Sequence, residues 1–365
     1  MSSQELKLSK NISAQRGGHV GYIMLSRPEA LNALSLDMVR QIASLLNKWE
    51  KDDDIKAVFI TGEGDRAFCS GGDLKSFYFA GMDYRRGAVS MPIPALFFGE
   101  EYQLNRQIFY YPKPIVSFMN GITMGGGYGI AGHCKYQVAC PKTVFAMPET
   151  GIGFFPDVGA MYHLTRCAGE LGKYIALTGD HLSGADMAYA GLASHYVVDQ
   201  NAQEIVDLMT SAIEKNGDIG QALDKISVSP VPCELQKNHD DIDVMFKPDN
   251  VHDIMDELGK ANNSWAQDIY NALARCSPIS LEVTARHYAR SRDQDFDRVI
   301  EKDFTLCQNF MQYPDIYEGI RATLIDKDRV PVWEPSSLAD IEEGLPEKYF
   351  TADWETLGEI KIFNS

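Results

Sequence analysis

The feature that most constrains this chain is the order of its apolar runs between residues 19 and 121. HVGYIMLS at 19–26 reads as a strand, LDMVRQIASLLNKWEKD from residue 36 carries helical periodicity, and KAVFITGEG at 56–64 and PIVSFMNG at 114–121 read as strands again. Buried strands separated by helices pair in parallel, because a tight hairpin cannot join parallel neighbours and the intervening helix covers the sheet. Shorter strand-like runs follow at YQVAC and TVFAMPE. From about residue 200 the pattern turns helical, as in AQEIVDLMTSAIEKN, VHDIMDELGKANNSWAQDIYNALARC and LEVTARHYARSRDQDFDRVIEKDFTLCQNF. The expected fold class is α/β, with a core over residues 1–200 and a mostly helical region over 201–365. The stretch 227–250, rich in Pro, Asp and Asn, reads as an irregular connector.

Two glycine-rich stretches stand out against this background. TMGGGYGIAG at 123–132 follows a predicted strand and opens an apolar helix. The first-turn N–H groups of a helix have no acceptor inside it, and glycine lets a ligand approach them, so the stretch suits an anion. Close packing of a helix on a sheet explains the glycines equally well. Neither a GK[ST] nor the acidic residue of a dinucleotide fingerprint follows. GDRAFCSGGDLKSF at 64–77 has the same character, with Asp73 placed to cap the next helix. Two such loops, each at the carboxyl end of a strand, can aim two N–H donors at one oxygen, the layout of an oxyanion hole.

The third informative stretch is FAMPETGIGFFPDVG at 145–159, where Glu149 and Asp157 are the only charges in an apolar run. A buried carboxylate is costly unless it is bonded, paired or protonated, so it marks either structure or chemistry. Turn capping after Pro148 and Pro156 is the structural alternative. With 34 basic against 51 acidic side chains, a net charge of -17 argues against nucleic acid or an anionic membrane as partner. No apolar run is long enough to span a bilayer. The seven cysteines are scattered without a CxxC pair, and Cys134, Cys140 and His133 lack zinc spacing, so no metal is expected. Cys69, His163 and His195 read as structural. The first residues, MSSQELKLSKNISAQ, have neither an apolar nor an Arg-rich amphipathic targeting pattern, which leads to an expected cytoplasmic location.

Taken together, these motifs resemble the crotonase (enoyl-CoA hydratase/isomerase) superfamily. The general marks are LSRPEALNALS at 25–35, AFCSGGDL at 67–74 and NGITMGGGYGI at 120–130. Marks of its hydroxyacyl-CoA hydrolase branch are EEYQLN at 100–105, FAMPETGIGFFPDVGAMYHLTR at 145–166, ALTGDHLSGAD at 176–186, SPISLEVT at 277–284 and EGIRATLIDKDRVPVWEP at 318–335. The resemblance implies a ββα spiral core with a helical carboxy-terminal region and an acyl-CoA substrate, with no separate cofactor. It implies that the N–H groups of Gly72 and Gly126 hold the thioester oxygen, and that Arg27, Ser70, Gly71, Asp73 and Leu74 help bind CoA. Hydratases of the family use two glutamates; here the later one is Glu149, while Gly129 stands where the first would be. Losing one carboxylate removes half of the acid–base machinery for hydration.

The hydrolase branch implies instead Glu149 as nucleophile or general base, Asp157 beside it, and Glu101 as acceptor for a substrate hydroxyl. The expected reaction is hydrolysis of a short hydroxyacyl-CoA, foremost 3-hydroxyisobutyryl-CoA of valine breakdown, to the hydroxy acid and CoA. The rivals are an isomerase or hydratase of the same superfamily and a non-catalytic acyl-CoA-binding protein. Trimers or hexamers are the usual assembly of the superfamily, although a long helical tail is able to cover that surface.

Overall fold

In the computed structural model, residues 4–6, 11–87, 93–229 and 232–351 are described. The chain forms two compact units, each drawing on three stretches: Met1–Gly72, Leu104–Ala146 and His181–Lys237 in the first, Asp73–Gln103, Met147–Asp180 and Asn238–Ser365 in the second.

Among the described residues, every strand lies in the first unit. The larger sheet runs in the order Gln4–Leu6, Ile12–Gly17, Val20–Leu25, Ala57–Gly62, Ile115–Met119, Tyr136–Ala139 and His195–Tyr196. Its first strands pair antiparallel, and pairing is parallel from Val20–Leu25 onwards. Ala57–Gly62 and Ile115–Met119 are buried at every position, as strands covered on both faces must be. A smaller sheet orders Leu182–Ser183, Val144–Ala146, Ile122–Met124 and Ala67–Cys69.

The two sheets are threaded alternately. Ala57–Gly62 leads into Ala67–Cys69 and the helix Leu74–Arg85; Ile115–Met119 leads into Ile122–Met124 and the helix Gly126–Ala131. This recurring strand, strand, helix unit is the expected ββα spiral. Behind the larger sheet, the helix Ala202–Glu214 buries Ile205, Val206 and Met209 against Val20, Phe59, Val116 and Val138. Each fully buried side chain of that size contributes about 1.5–3 kcal/mol.

The second unit is helical around an aromatic core. Phe98 stacks on Phe154 at 5.5 Å between ring centroids, Phe155 on Phe310 at 5.3 Å, and Phe310 packs on Tyr349 at 4.5 Å. The buried ammonium of Lys173 donates to the carbonyls of Phe246 (2.6 Å) and Pro248 (3.0 Å) and pairs with Glu170 at 2.9 Å. It thereby supplies positive charge at the carboxyl end of the helix His239–Met245, where orphan carbonyls accept it. That helix and Glu234–Lys237 correct the reading of 227–250 as irregular throughout: His239–Met245 buries Ile242 and Met245, and packing outweighs the loop-like composition.

Candidate active site

In the first unit the two glycine loops meet. Gly71 has φ +104°, and a Cβ there would lie 3.2 Å from Met124 O and 3.7 Å from Gly126 N. A Cβ on Gly127 would come within 2.2 Å of Cys69 O, so only glycine fits. The loop before Gly72 is held on its other side: Leu31 O accepts Ser70 N–H at 3.0 Å, Gly71 O accepts Leu34 N–H at 2.8 Å, and Gly72 bridges Leu34. The guanidinium of Arg27 donates to Ala33 O at 2.7 Å, bracing the residues that pair with this loop. The helix opened by Gly126 spans only Gly126–Ala131, too short for a substantial dipole, so any anion binding here depends on individual N–H groups.

The second unit gathers the carboxyls. Pro148 precedes the short 3-10 turn Glu149–Ile152, which the αL residue Gly153 ends. Thr150 anchors the turn, its Oγ1 donating to Leu177 O at 3.0 Å and its carbonyl accepting Ser277 N–H at 3.1 Å. Glu149 is only 6% exposed and its Oε2 has no hydrogen-bond partner among the described residues. It therefore does not cap the turn through that oxygen. Asp157 accepts the Tyr102 hydroxyl at 2.6 Å, and Tyr102 follows Glu101 on the helix Ile93–Phe109. Glu101 is buried, with Oε1 likewise unpartnered among the described residues.

Burial raises all three carboxyls. Glu149 is held well above the usual glutamate range by burial, with the charges of Asp157 and Glu101 adding to it. Glu101 moves the same way through burial and Asp157. Asp157 is pushed up to about 7 by burial and by Asp303, against the Tyr102 bond, which stabilises its anion. Three such groups cannot all ionise together in a dry cluster, so they titrate as a set.

The structure thus brings Ser70, Gly71, Gly72 and Gly126 together in one unit and Glu101, Glu149 and Asp157 in the other. Asp73 takes the capping position read from the sequence, accepting Ser76 N–H at 3.3 Å ahead of Leu74–Arg85. The structure adds Tyr102, Asp303 and His287; no sequence motif marks Asp303 or His287, and Tyr102 lies inside EEYQLN, next to Glu101. Among the described residues, His252, Asp253 and Asp256 gather on the exposed face of the helix Val251–Lys260.

This fold, two alternately threaded sheets with a recurring strand, strand, helix unit, is of the crotonase type. The chain matches the enoyl-CoA hydratase/isomerase family over residues 20–350, and it belongs to that family. It is 40% identical over 355 residues to the mitochondrial 3-hydroxyisobutyryl-CoA hydrolase of Danio rerio, covering 95% of this chain and 91% of that protein. It is 36% identical to the human protein of the same name, over 93% and 89% of the two chains. Among solved structures, a carnitinyl-CoA dehydratase from Mycobacterium thermoresistibile superposes with a TM-score of 0.85 at 35% identity, covering 94% and 97%. These relatives correct one expectation: they are named mitochondrial, which points to the mitochondrion rather than the cytoplasm. The cytoplasmic expectation rested on scattered cysteines, on the lack of a bilayer-length apolar run and on terminal residues without a recognisable targeting pattern, none of which distinguishes one reducing compartment from another.

Proposed function

We propose that this chain hydrolyses 3-hydroxyisobutyryl-CoA to 3-hydroxyisobutyrate and CoA. The observation that carries the reading is the buried trio Glu101, Glu149 and Asp157 in a chain that is 36–40% identical to hydrolases of that name. The chain has Gly129 where a hydratase of the family has its first glutamate, which speaks against hydration although similar structures are a carnitinyl-CoA dehydratase and an enoyl-CoA hydratase.

In the proposed reaction Glu149 carries the chemistry. Its carboxylate adds to the thioester carbon, the C–S bond breaks, and CoA leaves as thiolate; water then cleaves the resulting anhydride and regenerates the carboxylate. The same residue acting as base would deprotonate the attacking water, with the same products. Gly72 and Gly126 N–H groups stabilise the tetrahedral oxyanion, each such donor being worth about 2.7–4 kcal/mol. Asp157, held by Tyr102, orients water, and Glu101 accepts the substrate hydroxyl. Leaving that buried acceptor unpaired costs about 1–3 kcal/mol, so the site favours hydroxyacyl over plain acyl esters. Ser70, Gly71, Asp73 and Leu74 line the CoA-binding loop, with Arg27 bracing it.

Free-thiol release from 3-hydroxyisobutyryl-CoA, isobutyryl-CoA and crotonyl-CoA tests this. Rapid release from the hydroxyacyl ester, lost in Glu149→Gln, is expected. No thiol from any ester sinks the reading, and loss of the crotonyl absorbance instead would identify a hydratase.

A further inference from the structure

Behind Asp157 lies a buried pair that the proposed reaction does not use. His287 on the helix Pro278–Ser291 and Asp303 on the helix Phe296–Phe310 are both fully buried, with Nε2 and Oδ1 2.6 Å apart. A carboxylate only accepts, so Nε2 carries the proton, and His287 Nδ1 faces Ser291 Oγ at 3.3 Å. The other oxygen of Asp303 accepts the N–H of Gly159 at 2.6 Å. Gly159 is two residues beyond Asp157, and the residue between them, Val158, has φ +54°. A β-branched side chain in the left-handed region is strained and persists only where its surroundings hold it. Here the Asp303–Gly159 bond and the turn bond from Ala160 N–H to Asp157 O, at 2.9 Å, enclose the strained residue.

We propose that the His287–Asp303 pair is the positioning element for Asp157: it latches the Asp157–Val158–Gly159 turn in its strained form and sets both the place and the charge of the carboxyl. The inference rests on the hydrolase reading for its consequence in catalysis, but the latch itself does not. The groups acting on Asp157 are Tyr102 and Glu101 from Ile93–Phe109, Glu149 from its turn, and Asp303 and Cys307 from Phe296–Phe310. Of these, the charge of Asp303 disfavours ionisation of Asp157, and His287 donates to that same Asp303 carboxylate.

The two halves of the pair therefore act with opposite sign. Asp303→Asn removes a charge, so the acidic limb of the rate–pH profile moves to lower pH. His287→Ala leaves Asp303 uncompensated, so the limb moves to higher pH. In both, displacement of the turn lowers kcat by about 10- to 100-fold with little change in KM, as expected for a misplaced group rather than weaker binding. His287→Gln keeps a donor and recovers most of the rate. Carbon-13 NMR of the Asp157 carboxyl reads the same shifts without substrate, which separates this inference from the hydrolase reading: absent thiol release sinks that reading alone. Shifts of the same sign in both variants, no shift in either, or an Asp157 that titrates in the ordinary carboxylate range in the wild type overturns the latch. Should Asp303→Asn fail to fold, the contrast between His287→Ala and His287→Gln decides.

Discussion

The glycine loops and the carboxyl cluster can be compared as two ways of building a site. The loops around Gly72 and Gly126 present backbone N–H groups, placed by strand pairing and by contacts too close for any Cβ, such as Gly127 against Cys69 O. The cluster presents side chains whose protonation depends on burial, on neighbours and on the bond from Tyr102 to Asp157. The first kind of site is indifferent to pH and intolerant of added volume. The second should accept isosteric substitution without loss of fold, and it responds to protons.

The sharpest way to break that contrast is Glu149→Gln, which keeps volume and removes the charge; we expect kcat to fall about 10²–10⁴-fold in the thiol-release assay with an unchanged circular dichroism spectrum. Gly127→Ala should follow, because its methyl has to displace strand backbone at Cys69: kcat falls about 10²–10³-fold and, unlike Glu149→Gln, the melting temperature falls with it. A smaller effect separates binding from chemistry. Glu101→Gln should lower the preference for 3-hydroxyisobutyryl-CoA over isobutyryl-CoA by about 5- to 100-fold, read as the ratio of kcat/KM values.

The smallest effect is on stability. Because folding raises these carboxyls, the folded chain binds more protons than the unfolded one, and the associated stability is complete below the ordinary carboxylate range. It is lost as pH rises, for Asp157 through about 7. The melting temperature should therefore decline by a few degrees between about pH 5 and pH 8, and Asp157→Asn should flatten that decline. A melting temperature that rises over this interval would count against a buried, proton-sharing cluster.

Much of this was legible in the sequence. The parallel strands announced themselves as long apolar runs, and Glu149 and Asp157 as lone charges within one. The smaller sheet was less visible, since Ala67–Cys69 and Ile122–Met124 are too short to show a period. Residues 227–250 misled because Asn and Asp favour loops and helix starts alike; Asn250, for example, caps Val251–Lys260 by accepting Asp253 N–H. Asp303 and His287 gave no signal at all. Asp303 bonds a backbone group 144 positions away, and nothing local to either residue distinguishes it from a polar residue on a helix surface.

The wedging of the Glu149 turn has a consequence for which substitutions this chain can tolerate. A Cβ on Gly153 would meet Asp315 O at 2.3 Å, and one on Gly319 would meet Ile152 backbone at 2.3 Å. The turn that carries Glu149 is thus clasped between two places where any side chain collides with main chain. In a saturation scan scored only for growth or turnover, Gly153 and Gly319 would rank with Glu149 itself, though neither has a side chain to offer a substrate. Inactivating variants at these glycines are defects of alignment, and compensating changes should arise around Asp315 and Ile152 rather than among the carboxyls.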